Sequence, residues 1–200
     1  MIRTIIFDLG KVIVPFDFNR AYKQMEVHCG TPAKEIPLKL VDTGLYRRFE
    51  SGLIQPREFV EEITTHLGIR VGYQDFCDIW TSIFFPETLI SDEFMAQLAQ
   101  RYRLVLLSNT NFIHFEMIRA GYPILRHFHA FVLSYEVAIM KPAAGIYHKA
   151  IEAAECKPED CFFIDDILEN VEAARAEGIE AVQFLSVEQL EEEMRTRGII

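Results

Sequence analysis

The run Thr4-Ile5-Ile6-Phe7-Asp8-Leu9-Gly10 decides how the rest of the chain is read. Three β-branched residues and an aromatic in succession make a short strand buried on both faces, the pattern of a central strand in a parallel sheet. The strand breaks at once on a carboxylate, so Asp8 is delivered to its carboxyl end. Four later runs repeat the design. Residues 104–107 stop at Ser108-Asn109, 130–133 at Ser134, 161–164 at Asp165-Asp166, and 181–184 precede Ser186. Helical patterns over 91–100, 142–154, 168–177 and 187–197 separate these runs, the last opened by a Ser186…Gln189 capping box. Strand alternating with helix predicts an α/β fold, a Rossmann-like doubly wound parallel sheet with helices on both faces.

Residues 15–86 break that rhythm, being helical in pattern with no convincing strand. Thr31-Pro32 reads as an N-cap followed by a first-turn proline. Gln55-Pro56 opens a helix whose Phe59, Ile63 and Leu67 form an i, i+4, i+8 stripe, which is read as packing. The expected organisation is a core of 1–14 and 87–200 with a helical cap, 15–86, inserted after the first strand. Trp80 belongs to the cap core, and the histidines show no ligand spacing.

The 200 residues, half of them hydrophobic, suffice for one substantial core. Twenty basic against thirty acidic residues leave a net charge of −10, which repels nucleic acid and anionic membrane surfaces. The expected partner is a small molecule, and an anionic one needs local positive charge from a metal, a lysine or backbone N–H groups. Cys29, Cys77, Cys156 and Cys161 are widely scattered, form no close pair of the kind that chelates zinc or does dithiol chemistry, and read as small core or surface residues. The opening apolar run is too short for a signal peptide or membrane span, so a reducing cytoplasm is expected.

In an open parallel sheet ligands bind beyond the carboxyl ends of the strands. Asp8, Ser108-Asn109 and Asp165-Asp166 all fall at that edge, and Lys141 stands where the next helix begins. Together they supply a nucleophile, hydroxyl and amide donors, a cation and a carboxylate pair, which suits phosphoryl transfer. A carboxylate attacks a phosphate dianion only when their repulsion is cancelled, so Asp8 needs Lys141 and a divalent cation close by. Mg²⁺ takes oxygen ligands and keeps waters, so Asp8, the Gly10 carbonyl and one of Asp165 or Asp166 suffice to hold it.

The segments F-D-L-G-K-V (7–12), L-L-S-N-T-N (106–111), M-K-P (140–142) and F-F-I-D-D-I-L-E-N (162–170) resemble, in order and spacing, the four signatures of the haloacid dehalogenase-like (HAD) superfamily. Within it the chain is most similar to the small capped branch that includes sugar-phosphate phosphatases and the phosphatase half of soluble epoxide hydrolase. The resemblance implies a magnesium-dependent phosphatase acting on a small phosphate ester through an aspartyl-phosphate on Asp8. Ser108, Asn109 and Lys141 then bind the phosphate, and the cap closes over the site with Glu50-Ser51-Gly52 as a substrate-facing turn. It also implies Asp166 as direct metal ligand and Asp165 as a water-mediated one.

The sequence departs from the family at Gly10, where phosphatases usually carry an aspartate as general acid and base. Three outcomes stay open: a leaving group needing little protonation, such as the anomeric hydroxyl of a sugar 1-phosphate; a substitute shuttle, with Asp17 the nearest carboxylate in sequence; or binding without turnover. A metal-independent 2-haloacid dehalogenase is a rival reading, since it uses an aspartate, a Ser-Asn loop and a lysine. Without a cation, however, it leaves Asp165-Asp166 repelling Asp8. A non-catalytic phosphate-binding module is the other. Neither the substrate nor the oligomeric state is legible in periodicity.

Overall fold

The computed structural model describes residues 1–41 and 43–200. Five parallel strands, β1 (Thr4–Phe7), β2 (Arg103–Ser108), β3 (Ala130–Leu133), β4 (Cys161–Asp165) and β5 (Glu180–Gln183), lie in the order β3-β2-β1-β4-β5. The first strand is central, with Phe7 registered against both Leu106 of β2 and Ile164 of β4. The chain builds outward from β1 to β2 and β3 and then crosses to β4 and β5, so the crevice where the direction reverses opens beside the end of β1.

Alternating side chains of each strand feed two cores. Ile5, Phe7, Leu104, Leu106 and Phe162 face one layer, packed against Met95 and Leu98 of α6 (Asp92–Ala99), Phe115 and Ile118 of α7 (Phe112–Gly121), and Leu190 and Met194 of α11 (Val187–Thr196). Ile6, Val105, Leu107 and Phe163 face the other, against Ile146 and Ala150 of α9 (Ala144–Ala154) and Val171 and Ala174 of α10 (Leu168–Ala176). Helix α7, begun by Asn111 accepting from His114 N–H at 3.0 Å, is an element the sequence reading passed over. A single turn, α8 (Ser134–Val137), follows β3.

Between β1 and β2 the chain forms α1 (Phe18–Cys29), α2 (Ile36–Val41), α3 (Leu45–Glu50), α4 (Pro56–Leu67) and α5 (Tyr73–Thr81). These helices share an aromatic core in which Phe49 stacks on Phe59 at 4.1 Å, and Phe76 and Phe59 pack on Trp80. The Phe59, Ile63, Leu67 stripe is buried there. Pro56 opens α4 as expected. At Thr31-Pro32 the outcome differs: Pro32 leads into a 3-10 turn, Ala33–Glu35, the α-helix starts only at Ile36, and the Thr31 hydroxyl accepts from Lys39 Nζ at 3.0 Å. The two stretches of chain joining this layer to the sheet pair with each other. Asp17 N–H donates to Ile83 O at 2.9 Å and Phe85 N–H to Pro15 O at 3.1 Å.

The tip of α3 is fastened to the sheet a second time. Ser134 Oγ donates to Glu50 O at 2.6 Å, deep in the interior, and a Cβ on Gly52 would fall 2.0 Å from Tyr135 O. Among the described residues no helix is long and apolar enough to cross a membrane.

Two glycines with similar left-handed angles separate strain from close approach: at Gly30, φ 66°, nothing lies within 4 Å of where a Cβ would stand, whereas Gly52, φ 65°, touches the Tyr135 backbone. Gly30→Ala is expected to cost about 1 kcal/mol, the left-handed penalty alone. Gly52→Ala is expected to cost at least about 2 kcal/mol more, because the α3 turn must lift off α8. Urea denaturation of both variants checks the difference.

Candidate active site

Strand ends and their loops bring the polar residues together. Asp8 follows β1 directly, with its N–H donating to Ile164 O at 2.9 Å, which sets it level with Asp165 on the neighbouring strand. Lys141 lies before α9, 5% exposed, and its ammonium spends all three protons: on Asp8 Oδ1 at 2.7 Å, Asp165 Oδ2 at 2.6 Å and Leu107 O at 3.1 Å. Burial opposes the lysine's charge, but Asp8 and Asp165 outweigh it and raise its pKa above the ordinary value. Burial pushes the Asp8 carboxyl up to about 7, with Lys141 pulling it down and Asp165 adding repulsion.

The two adjacent aspartates are used differently. Asp165 is fully buried and saturated, accepting from Lys141, from Ile167 N–H at 2.8 Å and from Asn170 Nδ2 at 3.0 and 3.1 Å. Asp166 is half-buried, and its carboxylate has no side-chain hydrogen-bond partner among the described residues; burial and then Asp165 raise its pKa. Oxygens of Asp8, Asp165 and Asp166 lie within 4.8 Å of one another, close enough to share an ion. In the adjoining bridge, Val14 N–H donates to Leu9 O and Lys11 N–H to Val14 O, so the Gly10 carbonyl is not consumed by it.

Ser108 closes β2, 2% exposed, at the wall of a small cavity of about 50 Å³ between sheet edge and helical layer. Asn109 reaches that wall but has another task. Its Nδ2 donates to Lys141 O at 3.0 Å while its Oδ1 accepts from Lys141 N–H at 2.8 Å, so the amide positions the lysine and keeps one N–H over for a further partner. Gly52 does not line this cavity, being pressed against Tyr135 on the far side of the α3 turn. Asp17 is also elsewhere: its carboxylate caps α1, accepting from Asn19 N–H at 3.0 Å and Asn19 Nδ2 at 2.8 Å.

The resemblance expects Glu50 in a substrate-facing turn, and it does line the cavity; His114 and Ser134 are further residues shaping the site that the sequence does not announce. Glu50 projects into the cavity from α3, and burial pushes it up to about 7, with Tyr46 and Lys141 acting the other way. His114, stacked on Trp80 at 5.2 Å, lines the same cavity and is driven by burial down to about 3, hence neutral. Ser134 Oγ also accepts from Thr110 N–H at 3.0 Å and so fixes the loop after β2. One expectation is corrected outright: Cys156 and Cys161 do form a close pair, sulfur to sulfur 3.5 Å, because the Pro158–Asp160 turn folds the five-residue interval back on itself.

A sequence model of the haloacid dehalogenase-like hydrolases matches residues 2–178. The chain belongs to that family. Among curated proteins, this HAD-like hydrolase is 28% identical over 190 residues to a D-ribitol-5-phosphate phosphatase of Bacteroides thetaiotaomicron, covering 92% of each chain. Its structure matches a HAD family enzyme of the same bacterium, solved in complex with magnesium and inorganic phosphate, with a TM-score of 0.84 at 27% identity, covering 94% of this chain and 96% of that one. An L-2-haloacid dehalogenase from Xanthobacter autotrophicus matches with a TM-score of 0.64 at 18% identity, covering 100% of this chain and 85% of that one, and shares the fold.

The raised carboxyls give the metal-free hydrolase a pH signature. Folded Asp8 and Glu50 hold protons up to about 7, whereas the unfolded carboxyls release them near 3.8 and 4.5. The folded state then binds more protons across that window, so stability falls as pH rises from about 4 to 7 and levels off above it. Each group contributes at most about 1.4 kcal/mol per pH unit. Denaturation at pH 5 and pH 7 checks this, and Asp8→Asn is expected to flatten the slope.

Proposed function

We propose that this hydrolase is a magnesium-dependent phosphatase acting on a small phosphorylated metabolite of sugar or sugar-alcohol type, through an aspartyl-phosphate on Asp8. The charge count at the end of β1 carries the reading. Asp8, Asp165 and Asp166 face one another across less than 4.8 Å with a single buried ammonium, Lys141, between two of them. A donor set made wholly of oxygen, with more negative charge than Lys141 and the exposed Lys11 together balance, fits a hard divalent cation, and magnesium is the one best suited to a few carboxylates plus waters. Asp8, Asp166 and the Gly10 carbonyl are the residues that would hold it, with the saturated Asp165 acting from behind. Magnesium so held supplies the positive charge that lets an anionic carboxylate approach a phosphate dianion.

The chain's own residues then have distinct tasks. Asp8 attacks phosphorus with its carboxylate oxygen. Lys141, fixed by Asn109 and by Leu107 O, keeps that carboxylate aimed and balances charge gathering on the phosphoryl oxygens, which the Ser108 hydroxyl also meets. Water releases the phosphate from Asp8 in a second step. The name of the curated relative, D-ribitol-5-phosphate phosphatase, supports a polyol or sugar phosphate as substrate class. The dehalogenase alternative employs the same aspartate and lysine, but it leaves the three carboxylates short of neutralising charge. Free thiols at all four cysteines and a net charge of −10 suit a reducing cytoplasm and a partner that is neither nucleic acid nor membrane.

Phosphate release from a panel of sugar 1-phosphates, primary-alcohol phosphates and an aryl phosphate tests the reading. Turnover is expected with magnesium and not with EDTA, and Asp8→Asn is expected to lose at least about 10³-fold. Chloride release from 2-chloropropionate, with no phosphate released from any ester, would establish the dehalogenase instead.

A further inference from the structure

An alkoxide leaves phosphorus readily only when it is protonated, so an alkyl phosphate calls for an acid on the side away from the nucleophile. The loop carrying Asp8 provides none. Position 10 bears no side chain, and a Cβ there would lie 2.7 Å from Cε1 of Phe16, whose ring occupies the space. Asp17 is committed to capping α1. The opposite wall of the cavity, on the helical layer, does carry a carboxyl: Glu50, 7% exposed, lining the same space as Gly10 and Ser108.

Three features set Glu50 apart from a carboxyl that is merely packed. Among the described residues it has no ion-pair partner, and it stands outside the group of carboxylates close enough to share a metal. Its main chain is pinned to the sheet by Ser134 at 2.6 Å, and Gly52 seats the same turn on Tyr135, so the backbone that carries the carboxyl is fixed beside the cavity. The groups facing it are Tyr46 from its own helix, Asp8 and Lys141 from the sheet edge, and the neutral His114 from α7. A buried carboxyl with no ion-pair partner is most cheaply kept protonated, and burial, only partly offset by Tyr46 and Lys141, brings the group to about 7, where it gives up or takes a proton at neutral pH.

We infer that Glu50 is the general acid and base of this enzyme, working from the helical layer in place of a side chain at position 10; the inference rests on the phosphatase reading above. As Asp8 oxygen bonds to phosphorus and the ester P–O bond breaks, the Glu50 carboxylic proton passes to the departing alkoxide, leaving a free alcohol, phospho-Asp8 and a Glu50 carboxylate. In the second step a water attacks phosphorus and gives its proton to Glu50. The bond to Asp8 breaks, phosphate leaves, and both carboxyl groups return to their starting states.

Glu50→Gln keeps the shape of the side chain and tests the inference with two esters in the presence of magnesium. For a primary-alcohol sugar phosphate kcat/KM is expected to fall about 10²–10⁴-fold. For p-nitrophenyl phosphate, whose leaving group departs unprotonated, kcat/KM is expected to stay within about threefold. Rapid quench should then show a burst of one nitrophenolate per chain, followed by slow turnover as phospho-Asp8 accumulates. In the wild-type enzyme, kcat/KM for the alkyl ester should decline above pH 7 or so, a limb absent for the aryl ester. An equal loss on both esters, no loss on either, or identical wild-type pH profiles would overturn the assignment. A wild-type protein that releases no phosphate from either ester would sink the phosphatase reading itself.

Discussion

The Lys141 ammonium, wedged between Asp8 at 2.7 Å and Asp165 at 2.6 Å, is the contact on which the site depends. Two buried carboxylates on adjacent strands repel each other, and one lysine makes their proximity tolerable while fixing which oxygen of Asp8 remains available. Everything around the lysine serves that placement. Asn109 clamps its main chain from the end of β2, Leu107 O takes its third proton, and Asn170 holds Asp165 from α10. Three different strand ends and one helix therefore converge on a single charged group, and with the exposed Lys11 acting on Asp166 two ammonium groups still face three carboxylates. That shortfall is why a divalent cation belongs to the account.

The helical layer completes what the sheet edge leaves open. It is joined to the sheet through a pair of hydrogen-bonded connections at Pro15–Phe85 and Asp17–Ile83, and again through the Ser134–Glu50 contact. The cavity beneath holds about 50 Å³, space for a few water molecules. The aromatic core of Phe49, Phe59, Phe76 and Trp80 makes the layer stiff enough to carry Glu50 as a fixed group.

Much of this was legible in the sequence because strand ends leave a strong local mark. Apolar runs that stop on Asp8, Ser108 and Asp165 report strand, burial and polar terminus together, and the central position of β1 follows from its uninterrupted apolar character. What stayed hidden depends on contacts made across the fold. That Asn109 also positions Lys141, through a main chain 32 residues away, is a contact the local sequence does not announce. Glu50 is expected only as one member of a substrate-facing turn, and its burial as a carboxyl with no ion-pair partner among the described residues depends on contacts made across the fold. Helix α7 is hidden because its apolar residues follow the Ser-Asn-Thr-Asn loop without a break in character, and the Cys156–Cys161 pair requires a turn that the four intervening positions do not announce.

Calorimetric titration of the metal-free protein with magnesium at pH 6.5, repeated in buffers of different ionisation enthalpy, tests the central claim most directly. A cation that completes this charge balance must displace the proton held on the buried Asp8 carboxyl, which burial and Asp165 push up to about 7. The account predicts one magnesium bound per chain with proton release. Absence of binding, or binding with no proton released, would contradict it.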